Sequence, residues 1–182
     1  MPDSDFGYTA WGKDWVRLAE PLRQTRPDPQ LPRARGLARA GKVEITIDDR
    51  TVRALVLHGR NAFTASIELT PMPPETTAAI TRRLSGTRPA LTDDLYRTLT
   101  DEGRRPAPHI AAIDCTCPAA TPRCVHALAA YYEMARRVDD DPRVALDAQG
   151  YFRAASQSAG VTTPAPPQRW IALNALEPDD YF

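Results

Sequence analysis

The feature that most constrains this chain is the placement of its three cysteines, which fall within ten residues and are followed closely by a histidine. Residues i and i+2 of an extended segment point to the same side, about 6–7 Å apart. Each end of the motif can therefore supply two ligands, and tetrahedral zinc accepts four sulfur and nitrogen ligands of this kind. The spacing C-x-C-x6-C-x-H predicts one structural zinc ion with no open position for catalysis. Its predicted ligands are Cys115, Cys117, Cys124 and His126.

Other interpretations of the cysteines stay open from the sequence alone. They could be buried free thiols, or two of them could form a disulfide, which fits poorly with a cytosolic chain. His109 could replace one ligand if the closely spaced C-x-C pair does not reach the metal. We expect Arg123 and the free N–H groups of a helix beginning near Val125 to stabilise the thiolates.

Hydrophobic patterning places this motif in an α+β fold with a small three-stranded antiparallel sheet and flanking helices. Residues 43–69 contain three strand-like runs separated by turn-forming residues. The first and third runs alternate apolar and polar side chains, and the middle run, 52–58, carries apolar residues on both faces, as a central strand does. The apolar run 110–113 leads directly into the first cysteine. Apolar residues at helical spacing predict helices at 9–22, 75–84, 92–102 and 125–138. The prolines at 21, 27, 29 and 32 are predicted to stop the first helix, and Asp139-Asp140-Asp141-Pro142 is predicted to end the last. We expect Trp11 and Trp15 of the first helix to pack in the core.

The length of 182 residues suits one domain with an extension. Residues 1–150 are predicted to form the zinc-binding domain, with the finger itself at 113–138. Residues 151–182 are predicted to be a linker and a short tail, because 156–167 is small, polar and proline-rich. An apolar cluster in this tail is too small to form its own core. It is therefore a candidate partner-binding surface: Trp170, Ile171, Leu173 and Leu176.

The charge of the chain is balanced, with 23 basic and 23 acidic residues. A chain with no net charge has no overall field that attracts nucleic acid. However, six basic residues face only two acidic ones between Glu20 and Lys42. The candidate nucleic-acid-binding residues are Arg33, Arg35, Arg39, Lys42 and Arg123.

Several classes of protein are not expected. The first residues do not resemble a signal peptide, and no apolar run approaches the roughly 20 residues that span a bilayer. We therefore expect a cytoplasmic protein without membrane contact. No nucleophile elbow, P-loop or H-E-x-x-H motif is present. His58, at a strand end, and His109, in a loop, have no nucleophile motif beside them, so neither an enzyme nor a small-molecule substrate is predicted.

The motif and its surroundings resemble the SWIM zinc-finger family, whose defining pattern is C-x-C, a variable gap, and C-x-H. The matching segments here are Cys115-Thr116-Cys117-Pro118 and Cys124-Val125-His126. The upstream segments Trp11-Gly12-Lys13-Asp14-Trp15 and 35–43 are similar to bacterial members, and the likeness extends from about residue 11 to 142. One departure is Val125, where many members have a lysine.

The resemblance implies a modest set of functions. SWIM modules are regarded as DNA-binding or protein-interaction modules, bacterial members are often associated with helicases, and the finger itself has no catalytic activity. We therefore expect a zinc-binding accessory module that binds DNA or RNA, docks onto a larger partner such as a helicase, or does both. The alternative is a purely protein–protein adaptor or structural subunit that has no nucleic-acid contact.

Overall fold

The computed structural model describes residues 6–23, 26, 28–84, 90–119 and 121–158. Helices and strands alternate in groups along this part of the chain. In chain order the elements are α1 (Ala10–Ala19), α2 (Leu31–Arg39), β1 (Val43–Asp48), β2 (Thr51–His58), β3 (Asn61–Leu69), α3 (Pro74–Leu84), α4 (Asp93–Asp101), β4 (Ile110–Cys115), α5 (Val125–Asp140), α6 (Arg143–Asp147) and α7 (Tyr151–Ser158).

The sheet is antiparallel with the order β1-β2-β3-β4, so the prediction of three strands was wrong by one strand. The meander over residues 43–69 is confirmed as β1, β2 and β3. The run that leads into the cysteines is the fourth strand, which pairs Ala65 with Cys115 and Ile67 with Ile113. As an edge strand, β4 leaves most of its residues exposed or half-buried. It therefore lacks the clear apolar alternation by which a strand is recognised.

Four of the helices follow the sequence prediction, with α1, α3, α4 and α5 close to the predicted ranges. The first helix ends at Ala19, two residues before Pro21, and not at residue 22. Thr9 caps its start by accepting a hydrogen bond from the Gly12 N–H. Trp11 and Trp15 are 2% and 0% exposed, which confirms their place in the core.

Three helices were not predicted. The sequence analysis took the prolines near residue 30 only as the end of α1, but Pro32 lies in the first turn of α2. Proline is tolerated in a first turn because its missing N–H would have no partner there. The short α6 was also missed, and α7 begins directly after the predicted domain boundary at residue 150. The predicted partner-binding residues of the tail lie outside the described residues: Trp170, Ile171, Leu173 and Leu176.

The centre of the fold is α5, in which 13 of 16 residues are buried. One side of this helix contacts β1, β2 and β3, and another side contacts α1 and α2. A helix enclosed in this way must be apolar around most of its circumference. A buried polar side chain lies near each end of α5, His126 at the start and Asp139 at the other end, so both need partners inside the protein. The predicted metal motif lies at the N-terminal end of α5.

Candidate metal centre

The four predicted ligands come together in the structure. One ligand atom from each of Cys115, Cys117, Cys124 and His126 lies within 4.8 Å of all the others. Cys115 Sγ is 3.8 Å from His126 Nδ1. In a tetrahedral zinc site, bonds of about 2.3 Å to sulfur and 2.0 Å to nitrogen separate these atoms by about 3.6 Å. The donor set and its spacing therefore fit a tetrahedral metal ion, and His109 is not one of the grouped side chains.

The first pair of ligands lies at the edge of the sheet. Cys115 is the last residue of β4, and Thr116 continues the pairing by donating its N–H to the Thr64 carbonyl at 3.0 Å. The Thr116 hydroxyl accepts the Thr64 N–H at 3.0 Å. These two hydrogen bonds hold Thr116 against Thr64 of β3, and the cysteines on either side of it reach the same cluster, as expected from their spacing.

The second pair lies at the start of α5, and here the expected extended geometry was wrong. Cys124 is the N-cap residue, with an extended backbone, and its Sγ accepts a hydrogen bond from the Ala127 N–H at 3.4 Å. His126 already belongs to the first helical turn. The cap folds the Cys124 side chain back over that turn, which is how a helix start can present both ligands to one point.

Arg123 fastens the loop before α5 to the end of α1. Its guanidinium donates to the carbonyls of Ala19 at 2.8 Å and Leu18 at 3.4 Å, and it pairs with Asp28 at 3.4 Å. The last carbonyls of a helix have no partner within the helix, so a cationic donor there stabilises it. The side chain predicted to stabilise thiolates thus also positions the second pair of ligands.

The electrostatics of the cluster favour a bound cation. Burial, with hydrogen bonds and charge from Cys117 and Cys124, raises the pKa of the Cys115 thiol to about 12. Neighbouring thiolates repel one another, so the group resists ionisation unless positive charge compensates. Burial, together with the nearby His58 and Arg33, lowers the pKa of His126, so its imidazole is neutral at neutral pH. Three sulfur donors and one neutral imidazole suit a soft or borderline divalent ion.

Sequence reasoning missed two residues that hold the ligand histidine. His126 Nε2 lies 2.9 Å from His58 Nδ1, and its ring stacks on Phe63 with centroids 4.4 Å apart. His58 had been taken as a strand-end residue with no role. The signal was present, because alternate residues of a strand share one face. His58 follows Val52, Ala54 and Val56 on the buried face of β2.

The basic residues singled out by charge fall into two groups. Arg35 pairs with Glu20 at 2.5 Å and donates to Tyr132 Oη, and Arg39 lies over the Phe6 ring at 5.9 Å. Together with Arg123, these side chains are used in contacts within the protein. Arg33 and Lys42 are exposed. Lys42 lies beside the end of β2, where its carbonyl accepts the Leu57 N–H at 2.8 Å. Burial, together with the positive charges of Arg33 and Lys42, lowers the pKa of His58.

Comparisons with known proteins return nothing: no family model, curated protein or solved structure matches this chain. Across the described residues, none of the helices combines the length and the apolar character needed to cross a membrane.

Proposed function

We propose that this protein is a zinc-binding module of the SWIM type, in which the metal joins the start of α5 to the edge of the sheet. The observation that supports this most is the convergence of four ligand atoms within 4.8 Å from two separate elements. Cysteines spaced C-x-C at a sheet edge and C-x-H at a helix start agree with the family pattern. The upstream tryptophan helix and antiparallel sheet agree with it too.

A structural role suits the proposed metal better than a catalytic one. Four protein ligands fill a tetrahedral coordination sphere, whereas catalytic zinc keeps one position for water or substrate. Cys117 and Cys124 are 6% and 1% exposed, which leaves little access for a substrate. When bound, zinc would contribute on the order of 10 kcal/mol of apparent binding free energy to local folding. The segment from Cys115 to His126 would gain most of this stabilisation.

Metal content tests the proposal. Elemental mass spectrometry of protein purified without added chelator should find one zinc ion per chain. A weak chelator should not remove this zinc. The Cys124→Ser variant should lose the metal, while His109→Gln, at an exposed histidine outside the cluster, should retain it. A wild-type protein that takes up no zinc when refolded with an excess would contradict the proposal.

We further propose that the module binds nucleic acid, docks onto a larger partner such as a helicase, or does both. Support for nucleic acid comes from Arg33 and Lys42, two exposed cations whose charges lower the pKa of His58. Phosphate contacts release counterions, so such binding weakens linearly on a logarithmic salt scale. The test is binding of the zinc-loaded protein to labelled DNA and RNA, single- and double-stranded, from about 50 to 300 mM salt.

A charge-matched pair of variants localises any binding. Arg33→Ala with Lys42→Ala should weaken binding and reduce the salt slope by about two, one for each lost phosphate contact. Arg97→Ala with Arg153→Ala removes the same charge from two exposed side chains and should leave binding nearly unchanged. Arg153 pairs with Asp49, which lies in the turn before β2, and His58 is at the opposite end of that strand. Equal losses in the two variants would contradict a defined nucleic-acid surface.

The alternative is an adaptor that contacts proteins only. The observation that favours it is that Arg35, Arg39 and Arg123 are used in contacts within the protein. The formal net charge of zero agrees with this view. No nucleic-acid binding at about 50 mM salt would favour the adaptor. Deletion of residues 159–182 should then leave zinc content unchanged, and it would test the apolar tail as the docking segment.

A further inference from the structure

The ligand histidine is held on the side away from the cysteines by the β2–β3 hairpin. Its Nδ1 faces Cys115 Sγ at 3.8 Å, and its Nε2 faces His58 Nδ1 at 2.9 Å. The two ring nitrogens of His126 therefore point to different partners, one to the sulfur cluster and the other to a second histidine. Which nitrogen binds a metal is thus decided by the surroundings of the ring.

The hairpin positions His58 and Phe63 together. The pair His58 and Asn61 closes the ladder between β2 and β3, and Val56 lies opposite Phe63. Gly59 makes the turn with φ +67°, a conformation that glycine adopts without strain. The His58 and Phe63 rings meet edge to face, with centroids 6.4 Å apart, and Phe63 stacks on His126. The histidine ring is therefore fixed in orientation by one stacking contact and one hydrogen bond.

We propose that His58 is a positioning residue of the metal centre, which accepts the Nε2–H of His126 and so leaves Nδ1 as the nitrogen that binds the metal. This inference rests on the proposed zinc site and extends it beyond the four ligands. It assigns a role to a residue that neither the C-x-C-x6-C-x-H pattern nor the cluster of ligand atoms contains.

The chemistry follows from the two tautomers of imidazole. A neutral ring has one N–H donor and one nitrogen with a free lone pair. If His58 Nδ1 accepts, His126 carries its hydrogen on Nε2 and its Nδ1 lone pair is free for the metal. If His58 donates instead, His126 carries its hydrogen on Nδ1, and that nitrogen cannot bind. Outer partners of ligand histidines generally fix the tautomer in this way and strengthen the ligand.

The remaining contacts of His58 agree with such a role. Its Nε2 is buried and has no hydrogen-bond partner among the described residues, so His126 is its one polar partner there. A buried polar nitrogen without a partner disfavours folding, and an aliphatic side chain at this position would avoid that cost. A histidine whose only polar contact is the ligand ring is therefore better explained by the metal centre than by core packing.

Zinc affinity of matched variants tests the proposal, measured by competition with a chromophoric chelator. His58→Leu should bind zinc about ten- to a hundredfold more weakly than the wild type. His58→Asn places an amide oxygen close to the position of Nδ1, so it should recover most of the affinity. His109→Leu makes the same change at an exposed histidine of the chain and should bind like the wild type.

Nitrogen NMR of the zinc-loaded wild type is the second measurement, and it needs no variant to fold. Long-range proton–nitrogen correlation should show His126 with a protonated Nε2 and a metal-bound Nδ1. Metal-bound Nε2, or equal zinc affinity in His58→Leu and wild type, would overturn the inference and leave the zinc site standing. A wild-type chain that binds no zinc would overturn both. If His58→Leu does not fold, the NMR result on the wild type decides.

Discussion

Buried polar side chains near the two ends of α5 find their partners in different ways. At the C-terminal end, the buried carboxylate of Asp139 accepts hydrogen bonds from the N–H groups of Gly7 at 2.6 Å and Thr9 at 3.0 Å, and from the Thr9 hydroxyl at 2.7 Å. At the N-terminal end, the sulfur of Cys124 accepts one long hydrogen bond and otherwise faces two more thiols and an imidazole. The Asp139 carboxylate is thus hydrogen-bonded by donors of the protein itself and needs no bound ion.

The difference shows how the chemistry of the side chains alone indicates a metal site. Asp139 lies before the first turn of α1, where a negative charge meets free N–H groups and a positive dipole end. Each carboxylate oxygen of Asp139, a strong acceptor, has a backbone N–H as its donor. Thiols are weak donors and weak acceptors, so three of them facing one another gain little from hydrogen bonding. A bound cation would account for their convergence, and in that case the two ends of α5 depend on different forces.

The largest expected effect is at the metal end. Cys117→Ser should reduce zinc affinity by several orders of magnitude, because the metal contributes on the order of 10 kcal/mol through four bonds. The melting temperature with zinc present should fall toward that of the metal-free wild type, as measured by calorimetry with and without added zinc. Full zinc retention with an unchanged melting temperature would contradict the structural role.

Low pH should also weaken zinc binding at the N-terminal end of α5. Because burial raises the pKa of Cys115 to about 12, the metal-free thiol keeps its proton at neutral pH. A metal that binds the Cys115 thiolate must displace this proton, so the logarithm of apparent affinity should rise by at least about one for each pH unit between pH 6 and 8. Calorimetry in buffers of different ionisation enthalpy counts the released protons. Zinc binding independent of pH would show that the thiols are not the ligands.

Asp139→Ala should weaken the contact between the C-terminal end of α5 and the residues before α1. Removal of the carboxylate leaves the N–H groups at the start of α1 without an acceptor, and the free energy of unfolding should fall by about 2–4 kcal/mol. Urea denaturation measures this loss. Zinc affinity should stay within about threefold of the wild type, since the two ends lie four helical turns apart. A drop in zinc affinity like that of Cys117→Ser would show that the ends are one cooperative unit.

The smallest expected effect separates close packing from helix propensity. A Cβ at Gly12 would overlap the Asp139 carboxylate and lie 3.0 Å from the Ala135 carbonyl oxygen. Gly12→Ala should therefore destabilise by about 1–3 kcal/mol through overpacking. Gly36→Ala is the matched control, because nothing lies within 4 Å of its added Cβ. It should stabilise α2 by about 0.5–1 kcal/mol. If both variants change the free energy of unfolding equally, the effect of Gly12→Ala does not come from the contact between α1 and α5.

Local patterns predicted the parts of the structure that depend on neighbours in sequence. The meander, the helix after the metal motif and the four ligands all follow from spacing along the chain. The fourth strand was missed because an edge strand is defined by its partner and not by its own alternation. The second helix was missed because Pro32 was interpreted only as a terminator, although a first-turn proline is favourable.

Partners across the fold explain the remaining differences. Asp139 was predicted only to help end α5, but in the structure its carboxylate accepts hydrogen bonds from the N–H groups of Gly7 and Thr9, directly before α1. His58 was interpreted only as a strand-end residue, and it is the fold that brings its ring next to His126 at the start of α5. The number of basic residues between Glu20 and Lys42 does not show which of them are free to bind nucleic acid, and Arg35 pairs with Glu20 within the protein.

The upstream segment that supported the family resemblance illustrates the same lesson. Trp11 Nε1 donates to the Thr92 carbonyl at 3.2 Å, and Gly12 allows the close approach of Asp139. Asp14 is buried and is hydrogen-bonded by Tyr96 and Arg105. Each of these residues is thus occupied in fixing α1 against its neighbours. The segment is therefore explained by packing, and the functional argument depends on the metal centre.

Hydrogen exchange of the zinc-loaded and the chelator-treated protein, read peptide by peptide, tests the central claim most directly. If zinc joins the start of α5 to the sheet edge, its removal should abolish protection over residues 113–128. Residues 7–12 and 134–140, at the Asp139 end, should keep most of their protection. Unchanged exchange at 113–128 after complete zinc removal, or exchange that increases equally at both ends, would contradict the account.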